Sequence, residues 1–120
     1  MSVRAVRGAT RLAADDAVEM AEAVVELVSA MLSRNDLAPD DLISAIFTAT
    51  PDLHSAFPAA AARGIGLGAV PLICAQELDI VGALTRVVRV MLHAESTRTL
   101  AQVQHVYLRG AEVLRQDLAQ

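Results

Sequence analysis

Lysine is missing from this 120-residue chain; all ten basic residues are arginine. A lysine Schiff base or lysine general base is therefore ruled out anywhere in it. For the set as a whole, codon bias is the plain explanation, and the heavy use of alanine agrees with it. Tryptophan is also missing, and only Phe47, Phe57 and Tyr107 are aromatic, which leaves little for a base-stacking surface. The net charge of −4 gives no electrostatic footprint for nucleic acid, so no nucleic-acid partner is expected. With one cysteine, Cys74, no internal disulfide can form, and a reducing cytoplasm is the expected setting. His54, His93 and His105 are scattered without paired ligand spacing, so neither a metal nor another cofactor is expected. Gly64, Gly66 and Gly68 do not match the dinucleotide fingerprint, and there is no P-loop and no nucleophile elbow. Apolar runs are too short and too often interrupted by charge to span a bilayer. The opening residues lack the regions of a secretory leader, so neither leader nor membrane partner is expected.

Apolar side chains are abundant, at 54% before glycine is counted. The length suits one domain over 1–120, with 110–120 as a C-terminal tail. A domain of this size buries about two-thirds of its unfolded surface. So apolar a composition in so small a chain suggests further burial in an oligomer.

Periodicity predicts an α+β fold: a mixed five-stranded sheet with one long and one short helix. Ser2 to Thr10 alternates as a strand, with Val3, Ala5 and Arg7 on one face. Gly8 permits a turn or a close backbone approach. Asp15 or Asp16 can cap a helix whose stripe is Ala17, Val18, Ala21, Val24, Val25, Val28, Met31 and Leu32. Asp41 to Thr50 reads as a strand, and Pro58 to Arg63 as a short helix with proline in its first turn. Val70 to Cys74 reads as a short buried strand, and its cysteine as inert more often than nucleophilic. Arg86 to Ala94 and His105 to Leu108 complete the sheet, separated by a loop with room for one helical turn.

Arg89 does not fit its strand. It shares a face with Val87 and Met91 in an otherwise apolar run. A guanidinium there is costly to desolvate and keeps its proton, so it needs an anion. A structural ion pair, a water-facing edge strand or a carboxylate-bearing ligand would each answer. Arg7, Glu77, Tyr107 and Arg115 could join it as a cationic pocket with one carboxylate and one phenol. Each also has a dull explanation: surface charge, a salt bridge or core packing.

At this point whole segments can be matched. Arg4-Ala5-Val6-Arg7-Gly8-Ala9-Thr10 resembles the opening strand of the AroH-type chorismate mutases. Ala49-Thr50-Pro51-Asp52-Leu53-His54-Ser55-Ala56-Phe57-Pro58-Ala59 is similar to their central signature. Val70 to Asp79, Arg89-Val90-Met91, His105-Val106-Tyr107-Leu108 and the tail Val113-Leu114-Arg115 with Asp117-Leu118 follow in order. The resemblance covers nearly the whole chain. It implies a homotrimer with a pseudo α/β-barrel core and active sites between subunits. It also implies the unimolecular Claisen rearrangement of chorismate to prephenate, on the route to phenylalanine and tyrosine.

Site roles follow from the resemblance. Arg89 would donate to the breaking ether oxygen and to a carboxylate. Arg7 and Tyr107 would bind the side-chain carboxylate. Glu77, with the backbone at Cys74, would hold the ring hydroxyl. Phe57 and Ile73 would line the pocket, Arg63 would add positive potential, and Leu114 and Arg115 would close over the ligand. Three positions depart from the family's common pattern: Ala60 for Lys, Ile73 for Thr and Gln116 for Pro. Two other readings keep the architecture: a Rid-type imine deaminase and a non-catalytic trimeric carboxylate-binding module.

Overall fold

A computed structural model describes the backbone of residues 1–118 and the side chains through Arg115. The last two residues of the expected tail lie outside the described residues. The strands are β1 (Ser2–Arg11), β2 (Leu42–Ala49), β3 (Leu72–Gln76), β4 (Val87–Ser96) and β5 (Val106–Leu108). The helices are α1 (Ala17–Arg34) and α2 (Pro58–Ala62). Short 3-10 turns occupy Pro39–Asp41 and Leu100–Gln102, a π-type turn Arg63–Leu67 follows α2, and an eight-residue 3-10 helix spans Ala111–Leu118. The expected α+β class and mixed five-stranded sheet are both present. The strand order is β3-β2-β4-β1-β5. β4 runs antiparallel to both β1 and β2, while β3 and β5 lie parallel to their neighbours at the edges.

Alternation decides which face of each strand is packed. Val6 on β1, Phe47 on β2 and Val88, Val90 and Leu92 on β4 are buried beneath α1. Burying each such side chain contributes about 1.5–3 kcal/mol. Opposite them Val3 and Arg7, Ile46 and Thr48, and Arg89 and Met91 stand on a second face, which among the described residues carries no α-helix and is covered only at Ala9 and Val87, by the Ala111–Leu118 segment. The molecule is 20 Å thick along its shortest axis, two layers and no more.

Several details differ from the sequence reading, each for a physical reason. The buried face of α1 is Met20, Ala23, Val24, Leu27, Val28 and Met31. It shares only Val24, Val28 and Met31 with the stripe read from spacing, and Val18 is 67% exposed. The helix is apolar around most of its girth, so two stripes fit the spacing and contact with the sheet selects one. Asp16 caps it, its Oδ2 accepting from the Glu19 amide at 2.8 Å. Gly8 lies inside β1, which runs on to Arg11; it serves a close approach rather than a turn. A Cβ there would overlap the Met31 sulfur.

β3 is not the buried strand Val70–Cys74. It spans Leu72–Gln76 at the sheet edge, and Cys74 is exposed. An apolar run reads as buried whether its own chain covers it or leaves it bare. The same reasoning corrects Arg89: β4 is the central strand, but the helix α1 packs only one of its faces, and on the other the packing stops at Val87. The Arg89 side chain is 45% exposed on the other. The tail folds back as 3-10 turns, burying Ala111 against Ala9 and Val87. No helix among the described residues is long and apolar enough to cross a membrane.

Candidate active site

The bare face of the sheet carries a cavity of about 400 Å³. Arg7 from β1, Thr48 from β2, Glu77 just after β3, Arg89 from β4, Tyr107 from β5 and Leu114 from the tail line it. Five strands and the tail thus converge on one hollow. Pairing register explains the meeting. Thr48 sits directly across from Arg89, and Ala9 across from Tyr107. The Glu77 amide donates to Ala49 O at 3.0 Å, extending the β2–β3 ladder one step and turning the carboxylate inward.

Glu77 is the anion that Arg89 was expected to need. Arg89 Nε lies 3.8 Å from Glu77 Oε2. The Thr48 hydroxyl donates to the same oxygen. At 3.8 Å and half exposed, the ion pair itself is weak, worth at most about 1 kcal/mol. Stability alone does not account for a guanidinium held in a hollow lined by a second one. The Arg115 guanidinium lies 6.0 Å from the centre of the Tyr107 ring, adding positive potential at the tail side.

Two further groups hold the frame. The Arg7 amide donates to His105 Nδ1 at 2.9 Å, tying the entry of β5 to β1 at a site cation. Burial, then the charges of Arg7 and Arg115, push the His105 pKa below its ordinary value. Thr50 and Asp52 clamp the start of β4. The Val87 amide donates to Thr50 Oγ1 at 3.0 Å, and the Arg86 amide to Asp52 Oδ2 at 3.0 Å. This holds Arg86 at φ 53, a left-handed backbone that non-glycine residues seldom adopt. Partial burial pushes the Asp52 carboxyl up, but the Thr50 hydroxyl and the Arg86 amide outweigh it and leave its pKa lowered.

The other expected site residues lie apart. Phe57 and Cys74 line a second cavity of about 460 Å³, on the loop side of β3, with no arginine or carboxylate in its wall. Phe57 is 74% exposed there. Ile73, 62% exposed, and Arg63, in the turn after α2, line neither hollow. One chain therefore brings Arg7, Glu77, Arg89, Tyr107 and Leu114 together, with Arg115 against Tyr107, and leaves Phe57, Ile73, Cys74 and Arg63 elsewhere. Thr48 and His105 did not emerge from the sequence. Alternation puts Thr48 on the Ile46 face of β2, but nothing local says that β4 lies beside it.

The arrangement offers two guanidinium groups, a phenol and a carboxylate, all fixed by strands. Such a set binds and orients an anionic ligand bearing a hydroxyl. Comparison with known proteins agrees. The family model for chorismate mutase type I matches residues 3–118. The chain is 38% identical over 120 residues to chorismate mutase AroH of Bacillus subtilis (strain 168), covering 99% of this chain and 94% of that one. It is 44% identical over 117 residues to chorismate mutase AroH of Thermus thermophilus, covering 97% and 96%. A solved chorismate mutase from Clostridium thermocellum superposes with a TM-score of 0.90 at 42% identity, over 92% of this chain and 98% of that one. The chain belongs to the type I chorismate mutase family.

Proposed function

We propose that this protein is a chorismate mutase, converting chorismate to prephenate for phenylalanine and tyrosine synthesis. The reaction needs no covalent intermediate. A C–O bond of the enol ether breaks while a C–C bond forms, and negative charge grows on the ether oxygen. The enzyme must hold the compact conformer and stabilise that charge. Arg89 is the cation opposite the ether oxygen. A fixed donor in such a position is worth roughly 3–4 kcal/mol of barrier. Arg7 and Tyr107 take the side-chain carboxylate, and Glu77 takes the ring hydroxyl. Leu114 and Arg115 close the tail side.

The observation that carries this reading is the meeting of Arg89, Glu77, Arg7 and Tyr107 around one cavity on the sheet face opposite α1. The same face supports a homotrimer with a pseudo-barrel core. One subunit supplies Arg7, Glu77, Arg89, Tyr107 and the tail. Its neighbour supplies Phe57, Ile73, the Cys74 backbone and Arg63, which one chain keeps apart from them. A reducing cytoplasm fits the exposed thiol of Cys74. The imine-deaminase and non-catalytic readings gain no observation. The test is a continuous assay of chorismate loss by the purified protein. A sample that leaves prephenate forming at the uncatalysed rate refutes the proposal.

A further inference from the structure

We propose that Thr48 is a positioning residue for the reaction, acting through Glu77. The inference rests on the chorismate mutase reading and adds a residue to it. Three observations converge. The Thr48 hydroxyl donates to Glu77 Oε2, the oxygen that also faces Arg89 Nε at 3.8 Å. Thr48 is the cross-strand partner of Arg89, so its side chain touches the carboxylate while its backbone pairs with that of Arg89. Its side chain lies in the wall of the same cavity as both.

The chemistry follows from counting acceptors. A carboxylate has about four lone-pair positions on two oxygens. Thr48 donates to Oε2, which Arg89 Nε faces at 3.8 Å, beyond hydrogen-bond range, and Oε1 takes no donor from the described residues. Oε1 is thereby left for the ring hydroxyl of the substrate. The hydroxyl of Thr48 also prevents a closer collapse of Glu77 onto Arg89. A bidentate pair would bind both carboxylate oxygens and use the guanidinium donors that the ether oxygen needs. Thr48 therefore sets which oxygen of Glu77 is offered and keeps the Arg89 donors free. It exchanges no proton with the substrate and forms no bond to it.

A double-mutant cycle read in kcat/KM for chorismate tests this. Thr48→Val keeps shape and strand propensity and removes only the hydroxyl. It is expected to lower kcat/KM roughly tenfold, the scale of one hydrogen bond to a charged group. Thr48→Ser, which keeps the hydroxyl, recovers most of that loss. In a Glu77→Ala background, Thr48→Val changes kcat/KM by less than about twofold, because the partner is already gone. A merely structural threonine would give equal losses in both backgrounds, and that result overturns the proposal. So does a Thr48→Val enzyme within about twofold of wild type on this scale. If Thr48→Val does not fold, Thr48→Ala carries the same cycle. A wild-type protein inactive on chorismate would instead sink the function proposed above, so the two failures are distinguishable.

Discussion

Among the described residues, Glu77 is the one carboxylate that pairs with Arg89. Its pair with Glu77 is long and half exposed, so it adds little to folding. Activity and stability should therefore separate at this pair. Arg89→Ala is expected to lower kcat at least about a hundredfold, on the scale of one lost oxyanion donor. Glu77→Gln should lower kcat/KM about tenfold or more while shifting stability by less than about 1 kcal/mol. Steady-state kinetics beside thermal melts check both. An Arg89→Ala enzyme within a few-fold of wild type would show that the cation is misassigned. The sequence pointed to Arg89, Glu77, Arg7 and Tyr107 because each carries a group that a plain core does not use. It was silent on Thr48, since a threonine on a strand is ordinary until the strand beside it is known.

Elements hold these groups still, and β5 shows how. Only three residues long, it is tied to β1 in part through His105 Nδ1 accepting the Arg7 amide. That nitrogen must stay unprotonated. Burial, then Arg7 and Arg115, hold the His105 pKa below 6.5, so an unfolded chain takes up the proton first. The stability from this contact is complete above pH 6.5 and is lost as pH falls from there through the depressed value. His105→Asn offers an acceptor oxygen near the same place and does not titrate. Melting temperatures between pH 7.5 and 5.5 should therefore fall less for His105→Asn than for wild type. Equal pH slopes would remove His105 from the account. The start of β4 is held by Thr50 and Asp52, whose Thr-Pro-Asp segment reads in the sequence only as a turn. The backbone groups it clamps, on Arg86 and Val87, lie more than thirty residues away.

At the scale of the whole molecule, α1 covers one face of the sheet and leaves apolar side chains exposed on the other. Val3, Ile46 and Ile73 are exposed on or beside the bare face, at 58%, 37% and 62%. Exposed apolar side chains around a polar hollow are one mark of a protein–protein interface. The proposed trimer predicts a solution mass of three times 12.7 kDa by light scattering. Shared sites predict more. Arg89→Ala subunits and Phe57→Asp subunits, each inactive alone, should regain activity when unfolded and refolded together. Random assembly leaves roughly a quarter of the sites with both halves intact. No recovery from mixed trimers would place Arg89 and Phe57 in separate functions or in one subunit's site.

The sequence by itself determined the local facts. Alternation marked the strands and the two faces of each, three- and four-residue spacing marked α1, and an arginine within an apolar run marked the candidate site. The ordered motifs named the family, because five of them in one order are specific where a single one is weak. Tertiary structure decided what local spacing cannot encode. It chose between two possible stripes on α1 and left most of one face of the sheet without a helix over it among the described residues. It put the apolar run of β3 at an edge, and it set Thr48 against Glu77 and Arg89. Those outcomes rest on strand order and register between segments some forty residues apart, including the irregularity between Leu42 and Ser44. A one-residue slip there would turn Thr48 to the opposite face of the sheet.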